Sequence, residues 1–128
     1  MRADQDRLTD IIHAIALIER YARGDREDFE HDELLQVWMI HHLAIIGEAA
    51  ARLSPVLRQG HPEVPWSGII GMRNVLVHGY FSIDLDEVWG IIQRQIPALR
   101  DQIGSLLRDL GSRGPGVSER LRRYALPI

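Results

Sequence analysis

The 128-residue sequence contains no cysteine. This excludes disulfides, thiolate nucleophiles and cysteine-type zinc sites, and fits a reducing compartment. Lysine is missing as well, all 15 Lys+Arg positions being arginine, so Schiff-base chemistry and a lysine-dependent phosphate loop are excluded. No apolar run approaches the roughly 20 residues a membrane helix needs. Asp4 and Asp6 stand where a secretory signal needs apolar residues. The expectation is a cytoplasmic protein with no membrane partner.

What is present is the composition of one ordinary globular domain, 45% hydrophobic and 26% charged, enough to bury a core. The net charge of −3 is unevenly spread. Residues 1–109 hold 11 arginines against 17 acids, and residues 110–128 hold 4 arginines against 1 acid. Charge alone therefore does not announce a nucleic-acid binder.

Apolar spacing predicts an all-α protein, an antiparallel bundle of four to five helices. Leu8, Ile11, Ile12, Ile15, Ile18 and Ala22 form one stripe over residues 4–22, with Asp4 as its N-cap. The polar stretch from Arg23 to Asp28 reads as a linker, and the acidic segment from Asp25 to Glu33 as solvated surface. From Leu34 to Leu53 apolar residues occupy more than one face, which favours a subunit contact. Residues 58–65 read as loop, and a short helix starts near Trp66 or Ser67 and ends by His78 and Gly79. A long helix then begins after Asp84, with a kink at Pro97. The domain is set at residues 1–110. A Gly/Pro linker with an Arg-rich tail follows over 111–128.

The segment Arg73-Asn74-Val75-Leu76-Val77-His78-Gly79-Tyr80 is hard to explain as core. A histidine and an arginine suit metal-free phosphodiester cleavage: a base takes the proton of an RNA 2′-hydroxyl, an acid protonates the leaving 5′-oxygen, and a guanidinium steadies the phosphorane. On a continuous helix the two positions stand roughly 140° apart. The expectation is that the helix stops near Val77, letting His78 turn back toward the Arg73 face, with Asn74 orienting it. A two-fold dimer would bring two such pairs into one cleft. The plainer reading of the pair is a capping cation beside a satisfied surface group.

Several blocks together resemble the HepT-like branch of the HEPN family. They are Asp6-Arg7-Leu8, Ile18-Glu19-Arg20-Tyr21, Ile46-Gly47-Glu48-Ala49, Val64-Pro65-Trp66, Gly71-Met72-Arg73-Asn74, Val77-His78-Gly79-Tyr80-Phe81 and Val88-Trp89, spread over most of residues 4–108. The resemblance implies an α-helical homodimer acting as a metal-independent endoribonuclease toxin. Arg73 and His78 match the catalytic pair and Asn74 the polar residue between them, and the products are a cyclic phosphate and a 5′-hydroxyl. It also implies a cognate antitoxin of the minimal nucleotidyltransferase type that transfers AMP from ATP onto Tyr80. Adenylate there would place negative phosphate beside the phosphate-binding arginine. The other reading of Tyr80 is a ring packed under the helix end.

No cofactor is expected. His41 and His42 diverge by about 100° on a helix, which argues against a metal site among the histidines. Trp38, Trp66 and Trp89 fall at core phases. Glu48 either pairs with an arginine at the active face or faces solvent. The second functional hypothesis is a non-catalytic helical module that binds and regulates a minimal nucleotidyltransferase.

Overall fold

The computed structural model describes residues 2–78 and 84–111, with side chains for all of these except residue 2 and residues 74–78. The described elements are helices, so the all-α expectation holds. Four long rods form the frame, and two short helices fill the connections between the first three.

Helix α1 (Arg2–Tyr21) buries Leu8, Ile11, Ile15 and Ile18 completely, which is the stripe read from the spacing. Asp4 is not its N-cap. The helix starts earlier, and the buried Asp4 carboxylate instead accepts hydrogen bonds from the Ser54 N–H at 2.9 Å and the Ser54 hydroxyl at 2.6 Å. The expected linker holds helix α2 (Arg26–Glu30). Asp25 and Asp28 form a reciprocal capping box, each side chain accepting from the other's backbone N–H. Phe29, 1% exposed, packs against Trp89 at 5.4 Å between ring centres. The acidic segment is thus anchored by an aromatic ring and is more than solvated surface.

Helix α3 (Glu33–Ala51) is capped by Asp32 and runs antiparallel to α1. The pairing is fixed by the Trp38 indole donating to the Leu17 carbonyl at one end and Ser54 donating to Asp4 at the other. Its 19 residues are long and apolar enough to cross a membrane by length and composition, contrary to the sequence reading. Packing accounts for part of that apolarity, since Met39, His42, Leu43, Ile46, Ala49 and Ala50 are buried within the bundle. His42 donates from Nδ1 to the Trp38 carbonyl at 2.7 Å, and burial holds the ring below the usual histidine range.

Ser54 accepts from the Leu57 N–H and starts helix α4 (Pro55–Gly60), which replaces the first part of the expected loop. Pro55 at the first position supplies a preset φ and needs no donor there. Helix α5 (Trp66–His78) follows and packs along α3. The fourth rod comprises α6 (Leu85–Gly90), a π-helical turn over Ile91–Gln95, and α7 (Ile96–Gly111), all with right-handed helical backbone at the joints. The expected kink at Pro97 takes this other form. A proline lacks the N–H and crowds the carbonyl four residues back, here Gln93, and the Ile96 N–H instead reaches the Ile91 carbonyl across a widened turn just before it. α7 carries one residue, Gly111, into the expected linker, and residues 112–128 lie outside the described residues.

Ion pairs tie distant elements together. Arg26 reaches Asp86 at 2.7 Å, joining α2 to α6, and Arg100 reaches Glu19 at 2.8 Å, joining α7 to α1. One row of α3 stays open: Leu34 is 84% and Val37 54% exposed, and the same helical row continues through His41 to Glu48 and Arg52.

Candidate active site

The site is built where α3 and α5 come into close contact at Gly47. Gly47 makes this possible: a Cβ there would stand 3.0 Å from both the Arg73 nitrogen and the Ile69 carbonyl oxygen. Glycine inside a helix costs about 0.5–1 kcal/mol relative to alanine. The missing side chain lets the two backbones approach.

That approach puts Arg73 beside Glu48. The Arg73 Nη1 donates to Glu48 Oε2 at 2.8 Å, and the Arg52 Nε lies 3.2 Å from Glu48 Oε1. One carboxylate is thus clasped by two guanidiniums, one from its own helix and one from α5. The hydrogen bond from Arg73 holds the Glu48 carboxyl below the usual glutamate range, so it is ionised at neutral pH. The Arg73 side chain is 37% exposed, which places a cation at the surface with its direction set by Glu48. A guanidinium has five N–H donors, so holding one still leaves the fork able to meet phosphate oxygens.

α5 ends at His78, within one residue of the expected stop near Val77. Positions 73 and 78 therefore stand roughly 140° apart around one helix axis. Asn74 and His78 lie on this helix, but their side chains are outside the described residues, as is the whole of Tyr80. Of the four expected site residues, the geometry is available for Arg73 alone. Glu48 proves to be the arginine's partner, the first of the two readings given for it. Among the described residues no three His, Asp or Glu side chains are gathered as a metal site would need.

The model of the ribonuclease HepT-like family matches residues 11–106. The chain belongs to the HepT-like ribonuclease family. A "probable ribonuclease HepT" of Thermococcus cleftensis is 38% identical over 106 residues, covering 82% of this chain and 96% of that protein. A protein of Caldanaerobacter subterraneus provisionally named an RNase is 39% identical over 92 residues, covering 72% of this chain and 82% of the relative. A Methanocaldococcus jannaschii protein, named both a gamma-glutamylcyclotransferase and provisionally an RNase, is 34% identical over 104 residues. There the match covers 80% of this chain but 47% of the relative. No solved structure matches the chain at a significant level.

Membership in a HepT-like ribonuclease family makes RNA the substrate class of the chain. Two contributors to the Arg73 setting were not among the expected site residues. Arg52 follows Glu48 by four residues, a pairing that i,i+4 rules flag. Gly47 has its signal in its position, a glycine in mid-helix where alanine would be favoured unless another backbone must come close.

Proposed function

We propose that the chain is a metal-independent endoribonuclease, the toxin of a toxin–antitoxin pair, which cleaves RNA as a homodimer through Arg73 and His78. The observation that carries this reading is a surface guanidinium fixed at 2.8 Å by Glu48, on the close α3–α5 contact of a HepT-like ribonuclease family member. His78 removes the proton of a 2′-hydroxyl, and that oxygen attacks the adjacent phosphorus. The bond from phosphorus to the 5′-oxygen breaks and the leaving oxygen takes the proton now carried by the His78 imidazolium. The products are a cyclic phosphate and a 5′-hydroxyl. Arg73 steadies the charge on the phosphorane oxygens. Asn74 sits between the two as a positioning residue.

Two features support a dimer. A single α5 leaves positions 73 and 78 about 140° apart, so a second copy is the simplest way to bring an Arg73 and a His78 to one phosphate. The open α3 row with exposed Leu34 and Val37 runs directly into Glu48 and Arg52, so a copy seated on that row would lie against the site.

Neutralisation follows from the same electrostatics. A minimal nucleotidyltransferase antitoxin transfers AMP from ATP to the Tyr80 hydroxyl, with the tyrosine oxygen attacking the α-phosphorus and pyrophosphate leaving. The added phosphate, two residues from His78, competes with substrate phosphate for Arg73. Co-expression with such a partner should add one or more AMP masses to the peptide bearing Tyr80 and restore growth, while Tyr80→Phe should stay unmodified and toxic. Restored growth with an unmodified Tyr80 peptide would point to neutralisation by binding. Adenylate on Tyr80 in a protein that does not cut RNA when unmodified would support a non-catalytic module.

A further inference from the structure

Beside the α3–α5 contact lies a groove of about 460 Å³, lined by Pro55, Arg58, Gln59, Trp66, Ser67 and Ile70. Its walls come from α4 and the first turns of α5. The floor is apolar, and the polar side chains Arg58, Gln59 and Ser67 are mixed with it.

Arg58 is the charged member of that lining, and among the described residues its guanidinium has no carboxylate partner. Its Nε is buried without a hydrogen-bond partner. Arg26 Nη1 is likewise buried without a hydrogen bond, but Arg26, Arg52, Arg73 and Arg100 each meet an acid. An arginine kept beside a groove without an anion of its own is suited to take one from a ligand.

The groove also points somewhere. Trp66, Ile70 and Arg73 follow one another at i, i+4 and i+7, so they share one flank of α5, and about 10 Å of helix separates the first from the last. Arg52, at the end of α3, stands on the same side through its bond to Glu48. A strand of RNA lying along this flank would meet Arg58, the apolar floor and then Arg73 in sequence. Two elements hold the groove in shape. Asp4 fixes the Ser54 hydroxyl that caps α4, and the Trp66 indole donates to the His61 carbonyl at 3.0 Å.

We infer that the α4–α5 groove is an RNA subsite, in which Arg58 binds a phosphate of the single-stranded substrate a few nucleotides from the bond cut at Arg73, with a ribose or base against Pro55 and Ile70. This rests on the ribonuclease reading and extends it to substrate binding. Arg58 is a binding residue and takes no part in the bond-breaking step.

The test uses a fluorescently labelled single-stranded RNA of mixed sequence, methylated at every 2′-oxygen so that it is not cut. Binding is measured over a salt series for the wild-type chain, Arg58→Gln and Arg20→Ala. Arg20 is exposed at the far end of α1 and serves as a charge-matched control. Arg58→Gln should bind about tenfold more weakly, and its dependence of log K on log salt should be shallower by about one phosphate contact. Arg20→Ala should stay near wild type. On unmethylated RNA, Arg58→Gln should raise KM and leave kcat close to wild type. Equal affinity and equal salt slope for wild type and Arg58→Gln would overturn the groove and leave the ribonuclease reading standing, as would equal losses in both variants. A wild-type chain that neither binds the probe nor cuts RNA would remove both.

Discussion

Arg73→Ala and His78→Ala are each expected to lower the rate of RNA cleavage by about 10²–10³, with RNA affinity changed far less. For the arginine, the magnitude follows from placement. Glu48 holds the guanidinium at 2.8 Å before substrate arrives, so no reorganisation is needed when charge develops on the phosphorane. Arg73→Lys should not rescue the activity, because an ammonium offers one point charge where the fork offers two parallel donors. Glu48→Gln keeps the shape but removes the charge that aims Arg73, and it should fall between wild type and Arg73→Ala. Single-turnover rates with saturating enzyme separate these outcomes from binding. A wild-type rate in both Arg73→Ala and His78→Ala would remove the pair from the chemistry.

The second large effect is expected at Gly47. Any side chain there meets backbone atoms of α5 at 3.0 Å, and neither the Arg73 nitrogen nor the Ile69 carbonyl can swing aside as a side chain would. Gly47→Leu should therefore force the two helices apart, at a cost of about 1–3 kcal/mol of stability typical of overpacking. Because Arg73 rides on α5 and Glu48 on α3, the same movement lengthens their 2.8 Å contact. Cleavage should then drop at least tenfold in protein that is still folded. Gly71 makes the comparison, since a Cβ there meets nothing within 4 Å. Gly71→Ala should gain about 0.5–1 kcal/mol from helix propensity. Urea denaturation read by circular dichroism, with cleavage measured on the same samples, tests both. A Gly47→Leu protein as stable and active as wild type would contradict the close-contact account.

Much of this architecture was legible from residue spacing. The α1 stripe is buried as its periodicity requires, and Asp32 and Asp84 cap the helices that follow them. The departures come from interactions between distant residues. Asp4 looks like a cap until Ser54, fifty positions on, claims its carboxylate. Phe29 hides in an acidic stretch because its partner Trp89 lies on another rod. Pro97 announces a disturbance without saying which kind, and the rod absorbs it as a π turn. At the candidate site, the sequence left Glu48 between an arginine partner and solvent, and its clasp on Arg73 needed the α3–α5 crossing. Arg58 carried no signal at all, since its role depends on a groove formed between two helices.

The central claim concerns the chemistry at one phosphodiester, and the ends of the cleaved RNA report on it most directly. Purified protein is incubated with RNA in excess chelator and the new termini are analysed. The account predicts undiminished cleavage, with 2′,3′-cyclic phosphate on one fragment and a 5′-hydroxyl on the other. Cleavage that stops with the chelator, or that leaves a 3′-hydroxyl and a 5′-phosphate, would contradict it.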